Sequence, residues 1–111
     1  MRRAPSYAWR MYLIQILLPL FDNDGAHFEP ALYAATRREL TDRFGGLTAF
    51  SRAPAEGLWQ DEGKTKHDDI IVLEVMAEGV DTEWWRGYRK TLETRFRQDV
   101  IVVRAQMVSL L

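Results

Sequence analysis

Apolar residues run from Met11 to Phe21, MYLIQILLPLF, with one amide among them at Gln15. Read with a period of two, one side carries Tyr12, Ile14, Ile16, Leu18 and Leu20, and the other Met11, Leu13, Gln15, Leu17 and Phe21. A strand that is apolar on both sides belongs in the middle of a sheet covered on both faces. The same pattern returns in a strand starting near Lys66 and centred on Ile70 to Met76. There Ile71, Leu73 and Val75 alternate with Ile70, Val72, Glu74 and Met76. Two central strands are therefore expected.

Between them, Asp22-Asn23-Asp24-Gly25 is turn chemistry, short polar side chains followed by a glycine free to take positive φ. Pro30 suits the first turn of a helix. Phe28, Leu32, Ala35, Leu40 and Phe44 follow on roughly one face, and Gly45-Gly46 ends the helix. Leu47 to Arg52 is a short β-type segment interrupted by Pro54, which cannot donate to a ladder and so marks an edge strand or a bulge. A turn at Asp61-Glu62-Gly63-Lys64 leads back into the second apolar strand.

Gly79 closes that strand, and Asp81 or Thr82 is the expected N-cap of a second helix. Its stripe of Trp84, Trp85, Tyr88, Leu92 and Phe96 reads as core packing against a sheet. Arg86, Arg89, Lys90, Glu93, Arg95 and Arg97 form a mixed-charge rim around it. The last strand, Val100 to Val108, alternates Ile101, Val103, Ala105 and Met107 with Val100, Val102, Arg104, Gln106 and Val108.

The order is thus β-α-β-β-α-β. Two right-handed crossovers interleaved in one antiparallel sheet give an α+β, ferredoxin-like fold with strand order 4-1-3-2. That order makes central the same two strands that the pattern makes central. Residues 1–10 are expected to be a tail or lead-in and residues 11–111 a single domain.

In this arrangement both helices cover one face of the sheet. Placing the all-apolar sides against the helices leaves Leu13, Leu17, Phe21, Ile70, Val72, Met76, Val102 and Val108 on the other. An apolar patch of that size exceeds what monomer surfaces normally expose, and a twofold pairing of sheet against sheet would cover it. The polar interruptions of the open face are Gln15, Glu74, Arg104 and Gln106. With the third and fourth strands both flanking the first, these side chains fall in one row, either a satisfied structural network or the polar end of a ligand pocket.

Composition narrows the function classes. The 15 Lys and Arg balance 16 Asp and Glu, giving no electrostatic reason to expect nucleic acid or an anionic membrane as a partner. The absence of cysteine removes disulfides, thiolate nucleophiles and Cys zinc sites, and it fits a cytoplasmic protein. Arg2, Arg3 and Arg10 before an apolar run resemble a signal peptide, but no small-x-small cleavage site follows. The run is about half the length of a membrane span.

Other chemistries fail on spacing. Aligning Gly25 with the EF-hand glycine puts Leu20 and Ala31 at ligand positions, so Asp22, Asp24 and Glu29 make a turn rather than a calcium loop. His27 and His67 lie in no metal spacing, so neither a metal nor a cofactor is expected. His67 and Glu74 are the weak candidates for a catalytic base. Ser6, Ser51 and Ser109 lack nucleophile-elbow glycines. The third strand, aliphatic and acidic, lacks the exposed aromatics of an RNA recognition motif. Trp59, in the irregular stretch from Pro54 to Lys64, is a candidate for covering the sheet edge, clasping a partner subunit or contacting a ligand.

The segments LIQILLPLFDNDG, RFGGLTAF, GLWQDEG, DDIIVLEVMA and WWRGYRKTLETRFRQD, with the βαββαβ pattern and apolar open face, resemble a group of small bacterial proteins with the dimeric α+β barrel fold. The resemblance covers nearly all of the chain after residue 10 and implies a homodimer. It names no reaction, since the wider superfamily includes cofactor-independent monooxygenases, muconolactone isomerase-like enzymes, haem-dependent peroxidases, chlorite dismutases and amino-acid sensing domains. The expected function is binding of a small molecule in a cavity lined by Leu13, Gln15, Ile70, Val72, Glu74, Val102, Arg104 and Trp59. A monooxygenase- or isomerase-like enzyme, or a structural dimer without ligand, are the alternatives.

Overall fold

A computed structural model describes residues 9–52 and 70–111. The elements follow in the order β1 (Trp9–Pro19), α1 (Pro30–Phe44), β2 (Thr48–Arg52), β3 (Ile70–Ala77), α2 (Thr82–Arg95) and β4 (Val102–Leu110). The strands form one antiparallel sheet in the order β2-β3-β1-β4, the expected 4-1-3-2 read from the other edge. Among the described residues no helix is long and apolar enough to cross a membrane.

The alternation of β1 assigns its two faces. Ile14, Ile16 and Leu18 point toward the helices, and each is at most 1% exposed. They pack with Leu73 and Val75 of β3, Tyr33 and Leu40 of α1, and Trp85, Tyr88, Leu92 and Phe96 on the α2 side. Burying side chains of this size contributes about 1.5–3 kcal/mol each, which is what holds both helices to one face.

The helices begin and end where their chemistry directs. Pro30 occupies the first turn of α1, and Gly45 takes φ 79° as its C-cap, returning its N–H to Thr41 O. Asp81 caps α2, its carboxylate accepting from the Trp84 N–H at 3.1 Å. Asp22 Oδ1 accepts from the N–H groups of Asp24 and Ala26, and Gly25 adopts φ 84°, which makes the expected turn.

Four details differ from expectation. Strand β1 begins at Trp9, inside the presumed lead-in, because Trp9 and Arg10 pair with Leu110 and Ser109 at the end of β4. It ends at Pro19, so Phe21 lies beyond the sheet face and instead forms a bridge with His27, the two rings 4.4 Å apart. The fully buried residues of α1 are Tyr33, Thr36 and Leu40; of the expected stripe Phe28 and Leu40 lie in the core and Leu32 and Phe44 pack against it, so the buried face is wider than the stripe and includes two polar-tipped side chains. Both polar tips are satisfied: Tyr33 Oη donates to Pro19 O at 2.6 Å, and Thr36 Oγ1 donates to Leu32 O at 2.9 Å. Arg95, expected on the solvated rim, crosses between the helices. It holds both oxygens of Glu39 at 2.9 Å and Thr36 Oγ1 at 2.7 Å, and Tyr88 Oη adds a bond to Glu39 at 2.7 Å.

Candidate functional site

Strand register brings the predicted polar residues together. Gln15 on β1 lies directly opposite Glu74 on β3 and Arg104 on β4. Gln15 Nε2 donates to Glu74 Oε2 at 2.6 Å, and Arg104 Nε donates to Gln15 Oε1 at 2.8 Å. The amide is thereby oriented from both sides, its donor end toward the carboxylate and its acceptor end toward the guanidinium. Gln15 and Glu74 are half-buried and Arg104 is exposed. Among the described residues the other Glu74 oxygen and the terminal nitrogens of Arg104 have no partner. The row therefore presents an acceptor at one end and a forked donor at the other.

Apolar residues border the row on both sides. Leu13 lies opposite Met76 and Gln106, and Leu17 opposite Val72 and Val102. Gln106 is one step along the face, outside the hydrogen-bonded row. Met76 and Val102 are each 46% exposed, large for apolar side chains, while Val72 is buried. Ile70 lies opposite Pro19, at the end of the same face. Trp59 and His67 lie outside the described residues.

Pattern reading missed Thr48. It sits opposite Glu74 on the edge strand β2, so the polar row spans all four strands as Thr48, Glu74, Gln15 and Arg104. Its signal was the polar residue at the start of the short strand, unusable without the β2–β3 register. At this end a cavity of about 290 Å³ is lined by Leu13, Phe44, Leu47, Thr48, Glu74 and Met76. Near the β4 edge, a cavity of about 210 Å³ lies between Trp85, Val103 and three arginines, Arg86, Arg89 and Arg104. The Arg89 Nε there is buried without a hydrogen bond, 3.6 Å from a Glu93 oxygen that accepts the Ile101 N–H instead. The two cavities thus differ in charge, with a carboxylate at one and guanidinium groups at the other.

The strongest pKa displacements lie away from the row, between the helices. Burial, reinforced by the hydrogen bond to Glu39, pushes the Tyr88 phenol well above its usual range. The hydrogen bond from Arg95 holds the Glu39 carboxyl below its usual value against the opposing effect of burial. These three groups, with Thr36, satisfy one another and join α1 to α2. No cluster of metal-binding side chains occurs among the described residues.

Comparison with known proteins supports the architecture. No protein-family model and no curated protein matches the chain. Two solved structures of a phage SAM lyase match it over nearly all of both chains. The complex with S-methyl-5′-thioadenosine aligns at TM-score 0.53 and 16% identity, covering 99% of this chain and 95% of the other. The apo state aligns at TM-score 0.44 and 11% identity. At such identity the likeness to the complex is one of fold: a small α+β protein with a four-stranded antiparallel sheet and two helices.

Proposed function

We propose that the protein is a cytoplasmic homodimer that binds a small molecule between its sheet faces. The observation that carries this reading is the row of Glu74, Gln15 and Arg104, hydrogen-bonded across three strands and bordered on β1 and β3 by apolar residues. A few convergent polar groups on an apolar wall are what orients a small ligand. In this reading Arg104 pairs with an anionic or carbonyl group, and Gln15 and Glu74 hold the guanidinium in position. Leu13, Ile70 and Val102 supply the apolar wall, as the resemblance to dimeric α+β barrels implies; Val72, expected beside them, is only 1% exposed and is already buried within the chain. The similarity in fold to a SAM lyase holding a nucleoside thioether agrees with a small-ligand role and suggests a first probe.

Native mass spectrometry of the full chain, alone and with added S-methyl-5′-thioadenosine, tests the reading. A dimer that carries non-covalent mass, or takes up the probe, is the expected result. Arg104→Ala then loses the retained mass and stays dimeric, because the apolar face still pairs. A bare dimer that takes up nothing from extracts or probe makes the face a structural contact.

A second reading has its own observation. Glu74 borders the cavity of about 290 Å³ and keeps one carboxylate oxygen without a partner among the described residues, the arrangement of a proton acceptor in a monooxygenase- or isomerase-like enzyme. Incubation with S-adenosylmethionine and mass analysis for its loss is a first assay. Unchanged turnover in Glu74→Gln removes Glu74 from that role.

A further inference from the structure

The geometry points to a dimer axis parallel to β1, so that Arg104 of each subunit faces Glu74 of the partner subunit. This inference rests on the sheet-to-sheet dimer proposed above and specifies its symmetry. Register fixes the charges across three neighbouring strands in the order negative, neutral, positive, with Gln15 at the centre. Strands about 4.8 Å apart put Glu74 and Arg104 about 10 Å from each other along the row.

Two sheets packed face to face by a twofold axis have that axis lying between them. An axis along the row sets Glu74 over Glu74 of the partner subunit, and Arg104 over its own copy. An axis parallel to β1 through Gln15 reverses the row, and each guanidinium then meets a carboxylate. Enclosing like charges between two apolar walls is costly, and opposite charges in the same position are favourable. The apolar residues do not discriminate, since Leu13 and Leu17 meet leucines in either arrangement. The charged pair therefore decides.

The unused hydrogen-bonding groups agree. Within the chain Glu74 uses Oε2 and Arg104 uses Nε, leaving the other carboxylate oxygen and both terminal guanidinium nitrogens without partners among the described residues. Those are the atoms the second axis brings together. The strands, 11, 5, 8 and 9 residues long, describe a face of about 540 Å², at the low end for a specific interface. A standard interface uses about 800 Å² per partner. A ligand acceptor bound at Arg104 would compete with the partner subunit's Glu74 for the same nitrogens, which couples occupancy to assembly.

Charge reversal in the full chain tests the axis. Glu74→Arg and Arg104→Glu should each weaken self-association by roughly tenfold or more, while an equimolar mixture of the two assembles as a heterodimer. That assembly shows both variants folded. The double reversal, Glu74→Arg with Arg104→Glu, should form its own homodimer. Refolded together with isotope-labelled wild type and weighed by native mass spectrometry, it should sort into two homodimers. A wild-type and double-reversal heterodimer would overturn the inference and select the axis along the row, with the dimer itself intact. Single reversals that associate like wild type would also overturn it. A monomeric wild type would instead remove the dimer on which the inference stands.

Discussion

Replacing Gln15 by methionine isolates what the polar row contributes to stability. The thioether has nearly the same volume and removes two hydrogen bonds, from Nε2 to Glu74 at 2.6 Å and from Arg104 to Oε1 at 2.8 Å. Bonds to charged groups contribute about 1.5–3 kcal/mol each when enclosed, and the exposure of Arg104 places its bond at the bottom of that range or below it. Together they amount to about 2–3 kcal/mol, of which the added apolar surface beside Leu13 and Leu17 returns about 1. The net cost is about 1–2 kcal/mol. For a chain of 111 residues this lowers Tm by about 4–8 °C. Urea and thermal unfolding should be followed by circular dichroism at two protein concentrations, so that a change in assembly is separated from a change in the fold. A Gln15→Met protein as stable as wild type would show that water serves Glu74 and Arg104 as well as the amide does, and the row would not be a coupled unit.

Two further outcomes concern the helices. The Tyr88 phenol is held above its ordinary pKa of 10.0, so its contribution is complete below pH 10 and is lost as the pH rises above it; wild-type Tm should fall more steeply there than that of Tyr88→Phe. Tyr33, also raised by burial, leaves part of the alkaline slope in the variant. Asp81→Ala removes the cap on the Trp84 N–H and should cost about 1 kcal/mol, seen as a Tm lower by about 4 °C. An unchanged Tm would mean that solvent replaces the cap without loss.

The parts of the fold that sequence reading recovered are those with a local period. Alternation in β1 and β3 separated Ile14, Ile16 and Leu18 from Leu13, Gln15 and Leu17, and topology then brought Glu74 and Arg104 beside Gln15. The parts it lost depend on contacts between distant segments. Tyr33 and Thr36 look like surface residues in a helical stripe because their polar tips find partners only after folding. Arg95 and Glu39 are 56 positions apart, and nothing in either neighbourhood announces the pair. Thr48 joins the row through a β2–β3 register that the chain does not spell out. Of the three arginines at the cavity near the β4 edge, Arg86 and Arg89 were visible only as members of a charged rim.

Stability alone does not account for a charged row in this position. Replacing all its members by well-packed apolar residues would be neutral or stabilising, whereas removing one leaves the others without partners, which is why Gln15→Met carries a cost. What the row supplies is direction. An apolar strand pair tolerates slips that keep greasy side chains on one face, but a slip that separates Gln15 from Glu74 and Arg104 strands a carboxylate and a guanidinium. Two apolar sheets can likewise stack in more than one orientation with similar burial. The order of charge from Glu74 to Arg104 breaks that equivalence. The same three side chains thus define the register within the chain and leave at each end a group able to hold a ligand, and in the proposed dimer they would distinguish one axis from the other.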